Sequence, residues 1–448
     1  MKTFRIGGVH PEGNKLSAAR PITIAPLPQV AVFPLGQHIG APAKPIVNKG
    51  DKVIVGQMIA EAGGFVSAPI HSSVSGTVLK IDTIVDASGY AKPAIYIQVE
   101  DDVWDESIDR SADLVKIEDR PELTDKEIVA KIQNAGIVGM GGACFPTHVK
   151  LSPPPGSKIE WVIINAVECE PYLTADHRLM LEHADEILVG VALLMKAVGV
   201  HKGYIAIEGN KPDAIDLMTE KAQAYPDIEI VPLKIKYPQG GEKQLIDAVV
   251  GRQVPAPPAL PANVGAIIQN VGTAFAVYQA VMKNKPLFER VVTVTGKSLA
   301  QPSNFMVRMG TPMQQLIDLC GGLPEDTGKV VGGGPMMGKA LINTDVPICK
   351  GSSGVLVMND KEARRGQAGP CIRCGKCVTV CPMGLEPYLL ANGTVNEMWD
   401  LLEANQITSC IECGSCQFTC PSHRPLLDFV RIGKSTVTGI IKSRVQSK

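Results

Sequence analysis

Eight cysteines near the C-terminus carry the clearest chemistry in the chain. Cys371, Cys374, Cys377 and Cys381 form one run, with Pro382 next; Cys410, Cys413, Cys416 and Cys420 form a second, with Pro421 next. Both read C-x2-C-x2-C-x3-C-P. Three thiolates at that spacing wrap one face of a cubane iron–sulfur cluster, and the fourth is carried past a proline turn to the other cluster. One 4Fe–4S cluster is therefore expected on Cys371, Cys374, Cys377 and Cys420, and the other on Cys410, Cys413, Cys416 and Cys381. A zinc ribbon is the plain alternative, since CxxC pairs also hold zinc. Zinc needs two such pairs and has no use for a third cysteine ahead of a Cys-Pro, repeated with identical spacing. The chain is read as one that carries electrons.

The elements that must position these clusters come before them. A chain of 448 residues exceeds one compact core and suggests two to four domains. A net charge of −1 gives no electrostatic case for nucleic acid. The other four of the 12 cysteines (Cys144, Cys169, Cys320, Cys349) are scattered, which fits a reducing compartment better than a disulfide scaffold. No secretory h-region is visible at the N-terminus, and no run of apolar residues is long enough to span a membrane.

Residues 1 to about 100 read as a β module, with strand-like runs at Pro45–Val47, Lys52–Ile54, Met58–Ala60, Gly76–Ile81 and Ala94–Val99 between Gly/Asp turns. The stretch KGDKVIVGQMIAEAGGFVSAPIHSSVSGTVLKI resembles the barrel-sandwich fold of biotinyl and lipoyl carriers. The expected tip, Ala68-Pro69-Ile70-His71, has no lysine, so a structural or docking role is expected, with His71 a surface turn residue. Residues 101–123 read as an acidic linker. Thr124 with Glu127 is a capping box opening a helix over Asp125–Asn134.

A glycine-rich loop, AGIVGMGGACFPTHVK, covers residues 135–150. Glycines let a backbone approach a phosphate or a planar ring, and Lys150 adds charge; a plain surface turn is the alternative. Strands then alternate with helices: strand Trp161–Ala166, helix Thr174–Val198, strand Tyr204–Glu208, helix Asp213–Gln223, strand Glu229–Ile235, a helix after Glu242, and strand Gly265–Gln269. That is a parallel α/β sheet with polar residues at the strand ends, the edge where such sheets bind ligands. The glycine loop precedes the first strand, which speaks against a standard Rossmann dinucleotide site. From about 287 to 350 a smaller β-rich unit is expected: strand Arg290–Thr295, helix Thr311–Cys320, strand Lys329–Val331, and the run Gly332–Gly338, read as turn packing in preference to a second ligand loop. Helices at Glu386–Ala391 and Asn396–Glu403 separate the cysteine runs. Past Pro421 the tail is basic (Arg424, Arg431, Lys434, Lys442, Arg444, Lys448 against Asp428), open to a membrane surface, an acidic partner, or no contact at all.

GMGGACFPTHVK, NAVECEP, YPQGGE and QNVGT fall in the order of the flavin-binding subunit of respiratory complex I. With GGVHPEGNK at the N-terminus, a β-grasp-like unit and the twin cysteine runs, the whole chain resembles the family of C subunits of Rnf electron-transport complexes. The resemblance implies a multidomain α/β and β fold: an N-terminal barrel-sandwich module (1–105), a Rossmann-like parallel α/β FMN/NADH domain (120–285), a β-grasp SLBB-like domain (286–350), a ferredoxin-like α domain with two clusters (360–432) and a basic tail (433–448). It implies non-covalent FMN, NAD(H) as substrate, and a peripheral place on the cytoplasmic face of a bacterial inner membrane. There the complex exchanges electrons between ferredoxin and NAD, coupled to sodium or proton movement. Integral-membrane and flavin-bearing subunits and a ferredoxin or ferredoxin-like subunit are the implied partners. On matched positions, Gly139, Gly141, Lys150, Asn165, Glu168, Tyr237, Glu242 and Asn270 would contact FMN, with Gly142, Glu170 and Gly240 in the same segments and Phe145 on the nicotinamide or adenine side. The chain departs from the complex I pattern at Met140, Val167 and Gly241.

A flavin suits the junction because it takes a hydride's two electrons and releases them singly to clusters. Lys150 can stabilise the phosphate or a reduced ring, and Glu168 and Glu242 can accept hydrogen bonds from ribityl or nicotinamide groups; the alternative is solvated strand-end carboxylates. Two rivals share these features: a soluble flavin/iron–sulfur reductase such as the microcompartment cobalamin reductase, and a non-catalytic, cluster-bearing adaptor with a vestigial flavin pocket.

Overall fold

The computed structural model describes residues 1–446. The first strands are β1 (Ile22–Ile24), β2 (Val30–Pro34), β3 (Lys44–Pro45), β4 (Lys52–Val53), β5 (Met58–Glu61), β6 (Ile70–His71), β7 (Ser75–Val85) and β8 (Ala91–Asp101). Strands β2 to β8 form a sheet of order β2-β8-β7-β4 and a smaller one of order β3-β5-β6. Alternating residues turn inward, so Phe33, Ile59, Ile70, Ile95 and Ile97 are all buried. The turn at Pro69 is not a surface tip. His71 is buried, and burial lowers its pKa to about 3, so the ring is neutral. Lys350 Nζ donates to the carbonyls of Pro69 (2.6 Å) and Gly136 (2.7 Å), clamping the turn against the next unit. The 101–123 stretch is likewise pinned, with Trp104 edge-on to Phe288 at 5.3 Å and Lys283 Nζ donating to Asp109 at 2.6 Å.

The α/β unit opens with α1 (Asp125–Asn134), capped by Thr124 and Glu127 as expected. After the glycine loop come α2 (Thr147–Lys150), β9 (Trp161–Ala166), α3 (Ala175–Glu182), α4 (Ala184–Ala197), β10 (Gly203–Glu208), α5 (Pro212–Ala222), β11 (Ile228–Leu233), α6 (Glu242–Val250), β12 (Ala266–Asn270) and α7 (Val271–Met282). The sheet runs β11-β10-β9-β12, all parallel. Val162, Ile163 and Ile164 are fully buried, as a central strand covered on both faces requires. The single helix expected over Thr174–Val198 is two. His183 leaves helical geometry (φ −135, ψ 37), and its ring packs against Phe275 at 4.6 Å, so α4 can turn to lie along α7.

Next come β13 (Glu289–Thr295), β14 (Ser303–Arg308), α8 (Met313–Leu319), β15 (Thr327–Gly332), β16 (Lys339–Ala340) and β17 (Gly354–Asn359), in a six-stranded sheet of order β1-β14-β13-β17-β15-β16. Four of these strands, β1, β14, β16 and β17, were not anticipated. β1 leaves the N-terminal module to pair in parallel with β14, and β17 enters from beyond residue 350 to pair with both β13 and β15. Their partners are distant in sequence, so local pattern alone does not reveal them. A buried polar knot ties the units together: Thr174 Oγ1 lies 2.6 Å from Ser17 Oγ and 2.8 Å from Asn304 Oδ1, and Asn304 Nδ2 donates to the Ser17 carbonyl at 2.9 Å.

The C-terminal module holds α9 (Asp360–Ala363), α10 (Lys376–Thr379), α11 (Pro387–Val395), α12 (Trp399–Ala404), α13 (Ser415–Phe418) and α14 (Leu426–Gln446). α14 packs Val430 and Val437 against Leu390, Leu402 and Ile407. Arg431 and Lys434 pair with Glu412, and Arg444 with Glu403. Much of the basic tail is thus one helix docked on its own module; Lys448 lies outside the described residues. Among the described residues no helix is long and apolar enough to cross a membrane.

Candidate functional site

The strand ends of β9 and β12 and the turn before α6 converge under the glycine loop. The loop is held by its own backbone, Gly139 N donating to the Phe145 carbonyl at 2.9 Å, and by Met140 N donating to Thr273 Oγ1 at 3.0 Å. Gly141 sits on Asn270: a Cβ there would lie 3.1 Å from the asparagine side chain. Gly142, at φ 143, faces open space, and Gly141 to Ala143 are exposed. The loop thus offers bare backbone at the edge where α7 begins, and a helix N-terminus favours an anion.

The candidate side chains divide into two groups. Lys150, Asn165, Gly240, Glu242 and Asn270 gather at this edge. Lys150 Nζ bonds Glu242 at 2.7 Å and the Ile268 carbonyl at 3.1 Å, and Asn165 Nδ2 donates to the Gly240 carbonyl at 2.8 Å. Phe145 is half-buried in the loop itself. Three others turn to internal duties. Both oxygens of Glu168 accept from the first backbone N–H groups of α3, at Asp176 (2.7 Å) and His177 (3.2 Å). Glu170 accepts from Met336 N (2.6 Å) and Met337 N (3.0 Å). It fills the space a side chain at Gly334 would need, its Cγ only 2.0 Å from a Cβ placed there. The Gly332–Gly338 run is therefore a clasp on the α/β unit. Tyr237, 2% exposed, donates from Oη to the Cys413 carbonyl at 2.8 Å.

The cysteines assemble across the two runs. Cys381, Cys410, Cys413 and Cys416 line one enclosed cavity, with Pro382, Met383, Leu385 and Ile411. Three thiols come from the second run and one from the first. Cys377 has Cys371, Cys374 and Cys420 as its thiol neighbours, the reciprocal set. Among the described residues no group of three or more His, Cys, Asp or Glu is placed to hold a metal ion; an all-thiol set of four is the donor set a cubane cluster takes. Burial raises the Cys410 thiol to about 11, so iron must displace protons to bind.

This cavity abuts the strand-end edge. Besides the Tyr237 contact, Gln244 Nε2 on α6 donates to the Pro382 carbonyl at 3.2 Å, and Gly8 N donates to the Val380 carbonyl at 2.9 Å. Gly7 (φ 68) presses on the Cys381 backbone, where any Cβ would come within 2.5 Å. Val9, Tyr237 and Cys413 share one small apolar cluster with Cys169, Met336 and Ile411. The N-terminal segment is the filler of this junction, and nothing in its local sequence announces that.

Two further residues were not anticipated. Asp176 accepts from Asn270 Nδ2 at 2.7 Å; in the sequence it passes for an ordinary acid in a first helical turn. Lys211 is buried, donating to the Val167 carbonyl at 2.7 Å, and burial lowers it to about 8. A cleft of about 430 Å³ lined by Lys158, Glu160, Arg252 and Asn263 lies at the strand-start edge, away from these groups.

Comparison with known proteins bears on each unit. A Nuo51 FMN-binding domain matches residues 132–279, an RnfC barrel sandwich hybrid domain 2–102, an SLBB domain 291–340 and a 4Fe-4S dicluster domain 370–424. The chain is 44% identical over 438 residues to the C subunit of the Na(+)-translocating ferredoxin:NAD(+) oxidoreductase complex of Acetobacterium woodii, with 97% of each chain covered. It is 47% identical over 399 residues to the C subunit of the proton-translocating ferredoxin:NAD(+) oxidoreductase complex of Clostridium ljungdahlii, covering 87% of this chain and 84% of that one. It is 43% identical over 399 residues to the C subunit of the ion-translocating oxidoreductase complex of Rhodobacter capsulatus, covering 87% and 75%. Among solved structures, an NAD+-reducing [NiFe]-hydrogenase in the air-oxidized state shares the fold, at TM-score 0.50 and 19% identity over 70% of this chain and 63% of that one.

Proposed function

The chain belongs to the family of C subunits of ion-translocating ferredoxin:NAD(+) oxidoreductase complexes, and from that premise we propose that it passes electrons between NAD(H), an FMN at the strand-end edge and two 4Fe–4S clusters. The observation that carries this is the direct seating of the four-cysteine cavity on that edge, through Tyr237 and Cys413. FMN, when bound, supplies the step from hydride to single electrons.

The protein's own groups do the rest. Gly139, Gly141 and Gly142 leave the backbone bare for a close approach. Asn165, Asn270 and Lys150 offer donors at the edge, and Lys150 must leave or share Glu242 to reach a phosphate. Glu168 and Glu170 act one step back, the first by fixing the start of α3 and the second by clasping the 332–338 loop. Cys410, Cys413, Cys416 and Cys381 would hold the inner cluster, next to the flavin. Cys371, Cys374, Cys377 and Cys420 would hold the outer one, with Cys371 and Cys374 exposed. This arrangement would set the inner cluster between the flavin edge and the outer cluster, and leave the exposed Cys371 and Cys374 side open to a one-electron partner. No helix among the described residues is long and apolar enough to cross a membrane, and the family supports a peripheral place on the cytoplasmic face, held by integral-membrane subunits.

Anaerobic addition of NADH to the FMN-reconstituted, cluster-loaded protein tests the reading. Flavin bleaching followed by cluster reduction is expected. Intact clusters with an unbleached flavin would leave only an electron-carrying adaptor.

A further inference from the structure

Beneath the glycine loop lies a small charged network that the electron path itself does not use. Asn270 is its hinge. Asn270 Oδ1 accepts from Gly272 N at 2.9 Å, capping α7, while its Nδ2 donates to Asp176 Oδ2 at 2.7 Å and reaches the Asn165 carbonyl at 3.4 Å. The carboxylate of Asp176 and the Gly272 amide thus together set which way this side chain faces the loop. The other oxygen, Asp176 Oδ1, accepts no hydrogen bond among the described residues, and it lies 3.8 Å from where a Cβ on Gly272 would sit. A carboxylate oxygen with no donor stands at the very helix start that favours an anion.

Its charged surroundings come from several elements. Glu168, in the turn after β9, sits against the start of the same helix through the Asp176 and His177 amides. Arg290 of β13 is buried and acts on Asp176 favourably, as does Lys211 more weakly. His177 is engaged by Asp213 of α5 at 2.8 Å. Burial first, and the charge of Glu168 second, hold Asp176 well above the usual carboxylate range.

We propose that Asp176 positions Asn270 for the flavin nucleotide and takes up one proton from solvent when that anionic nucleotide binds. The proton adds to the carboxylate to give the neutral acid, and nothing else changes oxidation state or leaves. The neutral acid keeps the Asn270 hydrogen bond while removing a negative charge from beside an incoming anion. The inference rests on the reading that FMN binds at this edge.

The test is calorimetric titration of FMN into the cluster-loaded, flavin-free protein, in buffers of different ionisation enthalpy. At pH 7.5 to 8.5 the FMN phosphate is already a dianion (second pKa about 6), so proton uptake reports the protein. The wild type is expected to take up roughly half a proton or more and to lose FMN affinity by up to about tenfold per pH unit. D176N, an isosteric neutral side chain, is expected to bind FMN with no uptake and a flat pH profile. D176A, which leaves Asn270 held only by its cap on α7, is expected to weaken binding at every pH, and D176N to rescue it. E168Q is expected to move the loss of affinity to lower pH, and this holds the proposal testable even where D176N fails to fold. No proton uptake by the wild type, or unchanged uptake in D176N, overturns the proposal alone. A wild type that binds no FMN overturns the flavin reading with it.

Discussion

The two cysteine runs have the same grammar and opposite surroundings. Gly375 and Gly414 occupy equivalent places, each in left-handed geometry (φ 72 and 80) ahead of α10 and α13. A side chain at Gly375 would meet nothing within 4 Å, whereas one at Gly414 would lie 2.9 Å from the Met336 carbonyl. Ile372 is 65% exposed, while its counterpart Ile411 packs beside Tyr237 and Val9. Cys371 and Cys374 are exposed, while Cys413 is buried against the α/β unit. Ligand spacing therefore sets what is bound, and the neighbouring units set which cluster faces inward and which faces out. The duplicated sequence thus acquires an inside and an outside because only one copy is covered.

Removing ligands breaks the comparison most severely. Cys410→Ala strips the inner site, and iron is expected to fall by roughly half or more, with NADH no longer able to reduce any cluster in a single turnover. Cys420→Ala strips the outer site and, through the shared fold, impairs both. Iron content and electron paramagnetic resonance of the two variants decide it. Loss confined to the second-run cluster in Cys420→Ala would contradict the crossed ligand sets.

Backbone substitutions sharpen it. Gly375→Ala and Gly414→Ala both force a side chain into left-handed geometry, at about 1–2 kcal/mol. Only Gly414→Ala adds a clash, so its loss should exceed that of Gly375→Ala by about 1–2 kcal/mol in denaturant unfolding. Equal losses would mean the inner half is not packed on Met336. Tyr237→Phe leaves the buried Cys413 carbonyl without its donor and should cost about 1–2 kcal/mol, with slower flavin-to-cluster transfer in stopped flow.

The smallest effect is one of pH. Iron binds the thiolate, and Cys410 is held up to about 11 by burial. Below that value each pH unit increases its thiolate fraction about tenfold. Anaerobic reconstitution of the inner site should therefore quicken as pH rises from 7 to 9, as followed by its resonance signal.

Short-range pattern was enough for α1, with its capping box, and for the alternation from β9 to β12, because helix caps and buried parallel strands announce themselves within a few residues. It was not enough for β1 and β17, whose pairing residues are far apart in the chain, nor for the break at His183, which serves the packing of α4 on α7. At the site, the residue types at Gly141, Lys150, Asn165 and Asn270 were legible in order, and the structure gathers them at one edge. Glu168, Glu170 and Tyr237 were legible as residues at that edge but not in their orientation, since hydrogen-bond partners such as Met336 N and the Cys413 carbonyl come from other units.

By itself, the sequence determined the ligand chemistry: eight thiols at cluster spacing, a glycine loop, and polar strand ends in a given order. Those depend on residue type and on separations of a few positions, which the chain carries locally. The tertiary structure decided which of the two expected cysteine sets is covered, that the Pro69 turn and the N-terminal Gly7–Val9 segment are packing elements, and that Asp176 stands beside Asn270. Each of these is a contact between residues remote in sequence, created only when the separate hydrophobic surfaces are buried against one another.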